Sequence, residues 1–330
     1  MRLTRPLTYA AAAVLAAFTA GSALAQSNYP THPIRILVPY VPGGSTDYAA
    51  RLVAEKAKEF LGNAAIVIDN KAGAGGLLAL EELARAKPDG YTLMIGNVST
   101  NSITPVLFRK RMSFEYLDKV LPVARLLITP SVFIANANLP ANNWQEFIDY
   151  AKANPGKLRA ASTGIGAFTH FDLEMLQQKT GIKLVHVPYR EGAGGAIQAL
   201  VNGDVNVGST NAVQAHNLRG SGKIKLYATN MTERIKTLPD VPTFAELGLP
   251  GQGTLNWSGV FTPVGTPPEV VARLNDAFTK AANDPWVIEK AAHSATFKFP
   301  TATQEEFVAF VKSEMDKWRK IAEDVKIELN

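Results

Sequence analysis

Four short glycine-rich stretches carry the residues whose types and spacing could do chemistry. They are Gly43-Gly44-Ser45-Thr46-Asp47, Gly73-Ala74-Gly75-Gly76, Gly164-Ile165-Gly166-Ala167-Phe168-Thr169-His170 and Gly192-Ala193-Gly194-Gly195. Each lies between an apolar run with strand character and a run with helical periodicity. Glycine lets the backbone turn and approach a ligand, and the following helix offers unpaired N–H groups at its positive dipole end. The predicted chemistry is anion capture that needs no lysine or arginine. Two of these stretches, 43–47 and 164–170, carry hydroxyl side chains, whereas Gly73 to Gly76 has none and reads equally as a tight turn. Asp47, at a helix start, reads as a brace that keeps the Gly43-Gly44 N–H groups aimed.

Other chemistries find little support. The G-x-G-x-x-G test fails because Leu78, Thr169 and Ile197 stand where the third glycine belongs, and no G-x-x-x-x-G-K-[ST] loop exists. No nucleotide cofactor is expected. There is no G-x-S-x-G elbow and no S-x-x-K. His32, His170, His186, His216 and His293 include no H-x-x-x-H pair, so no metal site is expected. His170 stands near Ser162 and Thr163, which leaves an exported hydrolase with a Ser–His or Thr–His pair as one alternative. The other reading of His170 is a first-turn residue that orders the glycine loop, and no acid partner or oxyanion signature accompanies the pair. The chain is not expected to be an enzyme.

The elements that must position these loops alternate along the chain. Strands are predicted at 34–39, 65–68 and 91–95, with helices at 46–61 and 77–86 between them. The pattern restarts with strands at 131–135, 158–162, 184–187, 205–208 and 224–229 and helices at 143–153, 168–180 and 193–201. A further strand at 257–261 returns the chain to the first unit, followed by helices at 267–283 and 303–325. Continuous apolar strands separated by helices imply mostly parallel sheets covered on both faces. In such sheets ligands gather at the carboxyl ends of the strands, where the glycine loops are. Phe307, Phe310, Val311, Met315, Trp318, Ile321 and Val325 recur at helical spacing and read as a core stripe.

Composition bounds the rest. Residues 1–25 hold Arg2 and Arg5, an apolar stretch from Leu7 to Ala20, and Ala23-Leu24-Ala25. That is the pattern of a secretory signal peptide cleaved after Ala25. Removing 25 of the 330 residues leaves 305, and Lys+Arg falls from 34 to 32 against 29 acidic residues, a net charge of +3. No Lys/Arg block remains to track phosphates, which excludes nucleic acid as a partner. A hydrophobic content of 46% with 19% charged residues fits a globular chain long enough for two lobes. No later apolar segment reaches the roughly 18–20 residues that cross a bilayer, so no direct membrane insertion is expected. Cysteine is absent, which removes disulfides, thiol catalysis and thiolate metal sites. The expected location is the periplasm.

An ordered set of motifs runs through the whole mature chain. It begins with Tyr29-Pro30, Pro33-Ile34-Arg35 and Val38-Pro39-Tyr40-Val41-Pro42-Gly43-Gly44-Ser45-Thr46-Asp47 with Ala50-Arg51. It continues through Asn70-Lys71-Ala72-Gly73-Ala74-Gly75-Gly76, Pro88-Asp89-Gly90-Tyr91-Thr92-Leu93 and Ala153-Asn154-Pro155-Gly156-Lys157-Leu158. Ser162-Thr163-Gly164, His186-Val187-Pro188-Tyr189 and Leu238-Pro239-Asp240-Val241-Pro242-Thr243 follow, then Glu246-Leu247-Gly248 and Pro263-x-Gly265-Thr266-Pro267. In these motifs the chain resembles the solute-binding proteins of tripartite tricarboxylate transporters, the Bug family.

The resemblance implies a two-lobed, type II-like periplasmic binding fold that closes on a small carboxylate and delivers it to integral membrane permease subunits. Lobe I would comprise 26–125 and 256–330, and lobe II 126–255. The protein would act as a monomer without a cofactor. In the family two loops, one per lobe, grip the carboxylate through backbone N–H groups, hydroxyls and ordered water. The matching positions are Tyr40, Gly43, Gly44, Ser45, Thr46 and Asp47 in one loop. In the other they are Ser162, Thr163, Gly164, Gly166, Thr169 and His170. Further strand ends facing the cleft would supply Ser99, Thr100, Tyr189, Gly192, Thr210 and Asn211. Many members carry aspartate at the positions of Asn206 and Thr210. If those positions face the cleft, the neutral residues here favour di- or tricarboxylates, keto acids or aromatic acids over amino acids. A sensory receptor that presents its ligand to a signalling partner is the alternative within the same fold.

Overall fold

The computed structural model describes residues 29–189 and 192–325. The expected signal peptide lies outside the described residues, as do two positions of the loop after Tyr189. The first half runs β1 (Ile34–Val38), α1 (Ser45–Phe60), β2 (Ile66–Asn70), α2 (Leu77–Arg85), β3 (Thr92–Asn97) and β4 (Val120–Thr129). Next come β5 (Ser131–Asn136), α3 (Trp144–Ala153), β6 (Leu158–Ser162), α4 (Phe168–Thr180), β7 (Leu184–Pro188) and α5 (Ala193–Asn202). The remainder is β8 (Val207–Asn211), α6 (Ala212–Leu218), β9 (Ile224–Thr229), β10 (Asn256–Pro263), α7 (Pro268–Ala282), α8 (Pro285–His293), β11 (Phe297–Lys298) and α9 (Gln304–Val325).

Two sheets result, flanked by helices. The first has the order β2-β1-β3-β10-β4-β11 and the second β7-β6-β8-β5-β9. β1 lies between β2 and β3, and β6 between β7 and β8, each parallel to both neighbours. A reversed strand follows in each sheet: β10 lies antiparallel to β3 and β4, and β5 antiparallel to β8 and β9. Most strands of each sheet therefore share one direction, with the pairings made by β5, β10 and β11 antiparallel. The reversed strands β5 and β10 are where the chain changes sheet, at Pro130 between β4 and β5 and again just before β10.

Sequence explains the burial. Ile34, Ile36 and Val38 of β1 enter one core while Leu37 enters another, so this strand is apolar on both faces. The small residues Ala49, Ala50, Val53, Ala54 and Ala57 let α1 approach Leu274, Ala277 and Phe278 of α7. The α9 stripe is core, with Phe307, Val311 and Trp318 buried. Trp318 does more than pack on its own lobe: its ring meets Phe171 of α4 edge-on at 5.0 Å, so one apolar cluster spans the two sheets.

Among the labelled elements β4, α6, α8 and the two-residue β11 were not expected from the pattern. β4 carries Pro122 and Arg125 and has no clean alternation; Pro122 lies beside an irregularity in the ladder to β10. α6 is under two turns, and α8 begins at Asp284, whose carboxylate accepts from the Trp286 N–H at 2.9 Å.

Candidate functional site

The β1–α1 loop is held by hydrogen bonds that leave its backbone presented outward. Asp47 accepts from the Gly43 N–H at 2.9 Å, from Arg51 Nε at 3.0 Å and from Asn70 Nδ2 at 2.9 Å. Burial alone would raise its pKa, but the Arg51 guanidinium, the Gly43 N–H and Asn70 hold it below the usual carboxylate range. Asp47 is thus fully engaged as a brace. Helix α1 starts at Gly44, which has no side chain to cap the first-turn N–H groups of Ser45, Thr46 and Asp47. A Cβ added at Gly43 or Gly44 would meet no atom within 4 Å, so the loop faces open space there.

Asn97, at the end of β3, ties this loop down and was not singled out from the sequence. Its Oδ1 accepts from the Tyr40 hydroxyl at 2.8 Å and the Ser99 N–H at 3.0 Å, and its Nδ2 donates to Thr46 Oγ1 at 2.9 Å. Burial pushes the Tyr40 phenol up to about 12, so it remains a neutral donor. Ser99 Oγ then accepts from the Phe168 N–H at 3.1 Å. Phe168 opens α4, whose own N-cap Ala167 provides no side-chain cap. The first lobe therefore supplies the cap for the second lobe's loop helix.

In that second loop Thr169 Oγ1 accepts from the Thr163 N–H and lies 2.9 Å from the Thr163 hydroxyl. His170 Nδ1 accepts from the Gly166 N–H at 3.3 Å, which makes His170 the residue that orders the glycine loop. Its ring stacks on His186 with centroids 3.9 Å apart. Ser162 Oγ lies 2.6 Å from His186 Nε2 and also donates to the Gly164 carbonyl. The pairing of Ser162 or Thr163 with His170 that a hydrolase would use is not formed: Ser162 is fully buried and meets His186 instead, while Thr163 meets Thr169. Burial pushes His170 and His186 down to about 4, with the facing His186 a second cause at His170. Both rings are neutral at neutral pH, so an anion here would be met by N–H and hydroxyl groups.

The two loops are brought together. A Cβ on Gly166 would lie 3.0 Å from the ring of Phe108 and 3.3 Å from Leu107, both from the first lobe. Asp172 of α4 anchors the helix to the crossing segment, accepting from Thr254 Oγ1 at 2.6 Å and from Ser209 at 2.9 Å. Burial raises its pKa to about 6.

Other expected site residues have structural partners. Thr100 is fully buried and donates to Asn101 Oδ1 at 2.7 Å. Thr210 donates to Gln214, and Asn211 caps α6 through the Gln214 N–H. Gly192 is the N-cap of α5 with φ +69°, and like Gly44 it offers no side-chain cap. Tyr189 N–H donates to the Ser162 carbonyl at 3.1 Å, which sets it beside the second loop. Asn206 precedes β8 and accepts from the Arg159 N–H at 2.8 Å, at the opposite strand end from Asn211. Its neutrality therefore carries no message about the ligand. Gly73, Gly75 and Gly76 have φ of +140°, +65° and +93°, and a Cβ at Gly76 would fall 2.1 Å from Thr100. That stretch is a turn packed against its neighbours.

Among the described residues no cluster of three His, Asp or Glu side chains could hold a metal, and no helix is long and apolar enough to cross a membrane. A groove of about 500 Å³ near the β2 edge is lined by Arg35, Lys71 and Glu82, whose charges are paired with one another.

The model of the tripartite tricarboxylate transporter family receptor matches residues 49–327. The fold is similar to that of the periplasmic binding protein BugD, at 31% identity and a TM-score of 0.83 over 91% of this chain and 99% of that one. It is similar to MatC from Rhodopseudomonas palustris with bound malate, at 33% identity and TM-score 0.80 over 89% and 99%. A further R. palustris protein, solved with adipate, shares 28% identity at TM-score 0.85 over 91% and 99%. With a two-lobed fold, paired glycine loops and a family match over most of its length, the chain belongs to the tripartite tricarboxylate transporter receptor family, the periplasmic binding proteins of the Bug type.

Proposed function

We propose that this protein is a periplasmic receptor that captures a small organic carboxylate between its lobes and delivers it to the permease of a tripartite tricarboxylate transporter. The second lobe, built on β5 to β9, is inserted in the first, built on β1 to β4 with β10 and β11. The single observation that carries this reading is the meeting of two loop-helix starts whose own N-cap residues, Gly44 and Ala167, give no side-chain cap. Those of α1 and α4 belong to different lobes and are joined through Asn97, Ser99 and the Phe168 N–H. The helix starts at α3, α6 and α8 carry asparagine or aspartate caps, and Thr303 and Glu306 make a capping box before α9, whereas those at α2, α5 and α7 have no side-chain cap. The first-turn N–H groups of α1 are left for a ligand where the lobes meet, while Ser99 takes the Phe168 N–H of α4. That relatives bind malate and adipate supports a carboxylate as the ligand.

Magnitudes suffice. A hydrogen bond to a charged group contributes about 1.5–3 kcal/mol net, and a helix N-terminus adds about 0.3–1 kcal/mol. Several such contacts, less the cost of closure, reach the roughly −8 kcal/mol of micromolar binding. A thermal-shift screen against mono-, di- and tricarboxylates tests the proposal, because a ligand at about 100 times its Kd adds about 2.7 kcal/mol of stability. A folded protein that responds to no carboxylate would defeat it.

A further inference from the structure

Asn256 is the first residue of β10, the strand that returns the chain to the first sheet, and it is 4% exposed. Its Nδ2 donates to Ser45 Oγ at 3.0 Å. Its Oδ1 is buried and has no hydrogen-bond partner among the described residues. Asn97 and Asn70, which also meet this loop, each have both ends of the amide engaged, Asn97 by Thr46, Tyr40 and Ser99 and Asn70 by Asp47, Tyr40 and Arg51. Native interiors leave few polar atoms unpaired, because an unmade bond costs the desolvation of the group. Ser45 is the first residue of α1, so the unpartnered acceptor lies beside the uncapped helix start. A carboxylate held at that start would have its neighbouring carbon next to an oxygen that requires a donor.

We propose that Asn256 makes this receptor selective for 2-hydroxy acids, its Oδ1 accepting the ligand hydroxyl's hydrogen while the start of α1 takes the carboxylate. The proposal rests on the carboxylate-receptor reading above. An ammonium group could also donate, but its charge needs a carboxylate. Asp47 is committed to Gly43, Arg51 and Asn70, and Asp172 to Ser209 and Thr254. A 2-oxo acid would set one acceptor against another.

Calorimetric titration of the full mature protein with matched acids tests this: malate against succinate and oxaloacetate, and lactate against propionate and pyruvate. In at least one set the hydroxy acid should bind tenfold or more tighter than its deoxy and oxo counterparts. In Asn256→Ala that preference should fall to within about twofold. The wild-type ratios stand alone if the variant does not fold. Deoxy or oxo acids binding as tightly as the hydroxy acid would overturn the proposal and leave the receptor reading intact, as would a preference that survives Asn256→Ala. Binding of no carboxylate at all would overturn both.

Discussion

The Ser99 hydroxyl of the first lobe accepts a hydrogen bond from the N–H of Phe168, the first residue of α4 in the second, at 3.1 Å. Ser99 is itself held by Asn97, which also holds Thr46 and Tyr40 of the β1–α1 loop. This chain of contacts couples the two loops across the cleft. In the receptor proposed above, closure of the lobes on a ligand would be the difference in state that a permease reads.

Removing that link should weaken the closed form. Ser99→Ala loses one hydrogen bond worth about 1 kcal/mol, so carboxylate affinity should fall about three- to tenfold. Thermal stability of the ligand-free protein should change by no more than a few degrees. Affinity equal to that of wild type in a calorimetric titration would show that the contact plays no part in gripping the ligand.

Two glycines should separate binding from folding. Gly44 has an ordinary φ of −79°, and a Cβ there meets nothing within 4 Å. Gly44→Val should therefore fold but block backbone approach, weakening binding tenfold or more, about 1.4 kcal/mol. Gly76 has φ +93°, and its added Cβ would strike Thr100. Gly76→Ala should destabilise the fold by about 1–3 kcal/mol, a melting-temperature loss of several degrees. The reverse outcome, a stable Gly76→Ala and an unfolded Gly44→Val, would contradict these roles.

Acidification should destabilise the protein in a defined window. The folded-state pKa values of His170 and His186 lie at about 4 against 6.5 in the unfolded chain, so the unfolded state binds more protons between those values. Stability falls as pH drops from about 6.5 toward 4. Asp172 opposes this below pH 6, because its raised pKa lets the folded state take up a proton first. Two histidines outweigh one aspartate. Thermal melts at pH 7 and pH 5 should show a clear loss in wild type and a smaller one in His186→Gln. An equally steep loss in the variant would remove His186 as a cause.

Much of the fold is legible in the sequence because its signals are local. The helix at 168–180 and the strands at 158–162 and 224–229 appear where apolar periodicity and flanking glycine place them. The glycine loops are legible for the same reason. What escapes is long-range. Asn97 meets Tyr40 across 57 positions, and Asn256 meets Ser45 across 211. His170 stands close to Ser162 in the chain, yet Ser162 meets His186, because β6 and β7 pair with Ala160 opposite His186 and Ser162 opposite Pro188. Only the register of two parallel strands brings those side chains together.

In the proposed receptor two loops hold a carboxylate by backbone N–H groups and hydroxyls. Calorimetric titration of the protein with a panel of small carboxylic acids and the amide of each checks this. The expected result is one-to-one binding of at least one carboxylate at micromolar Kd, with the matching amide bound at least a hundredfold more weakly. Equal binding of acid and amide, or no binding of any acid by the folded protein, would contradict the claim.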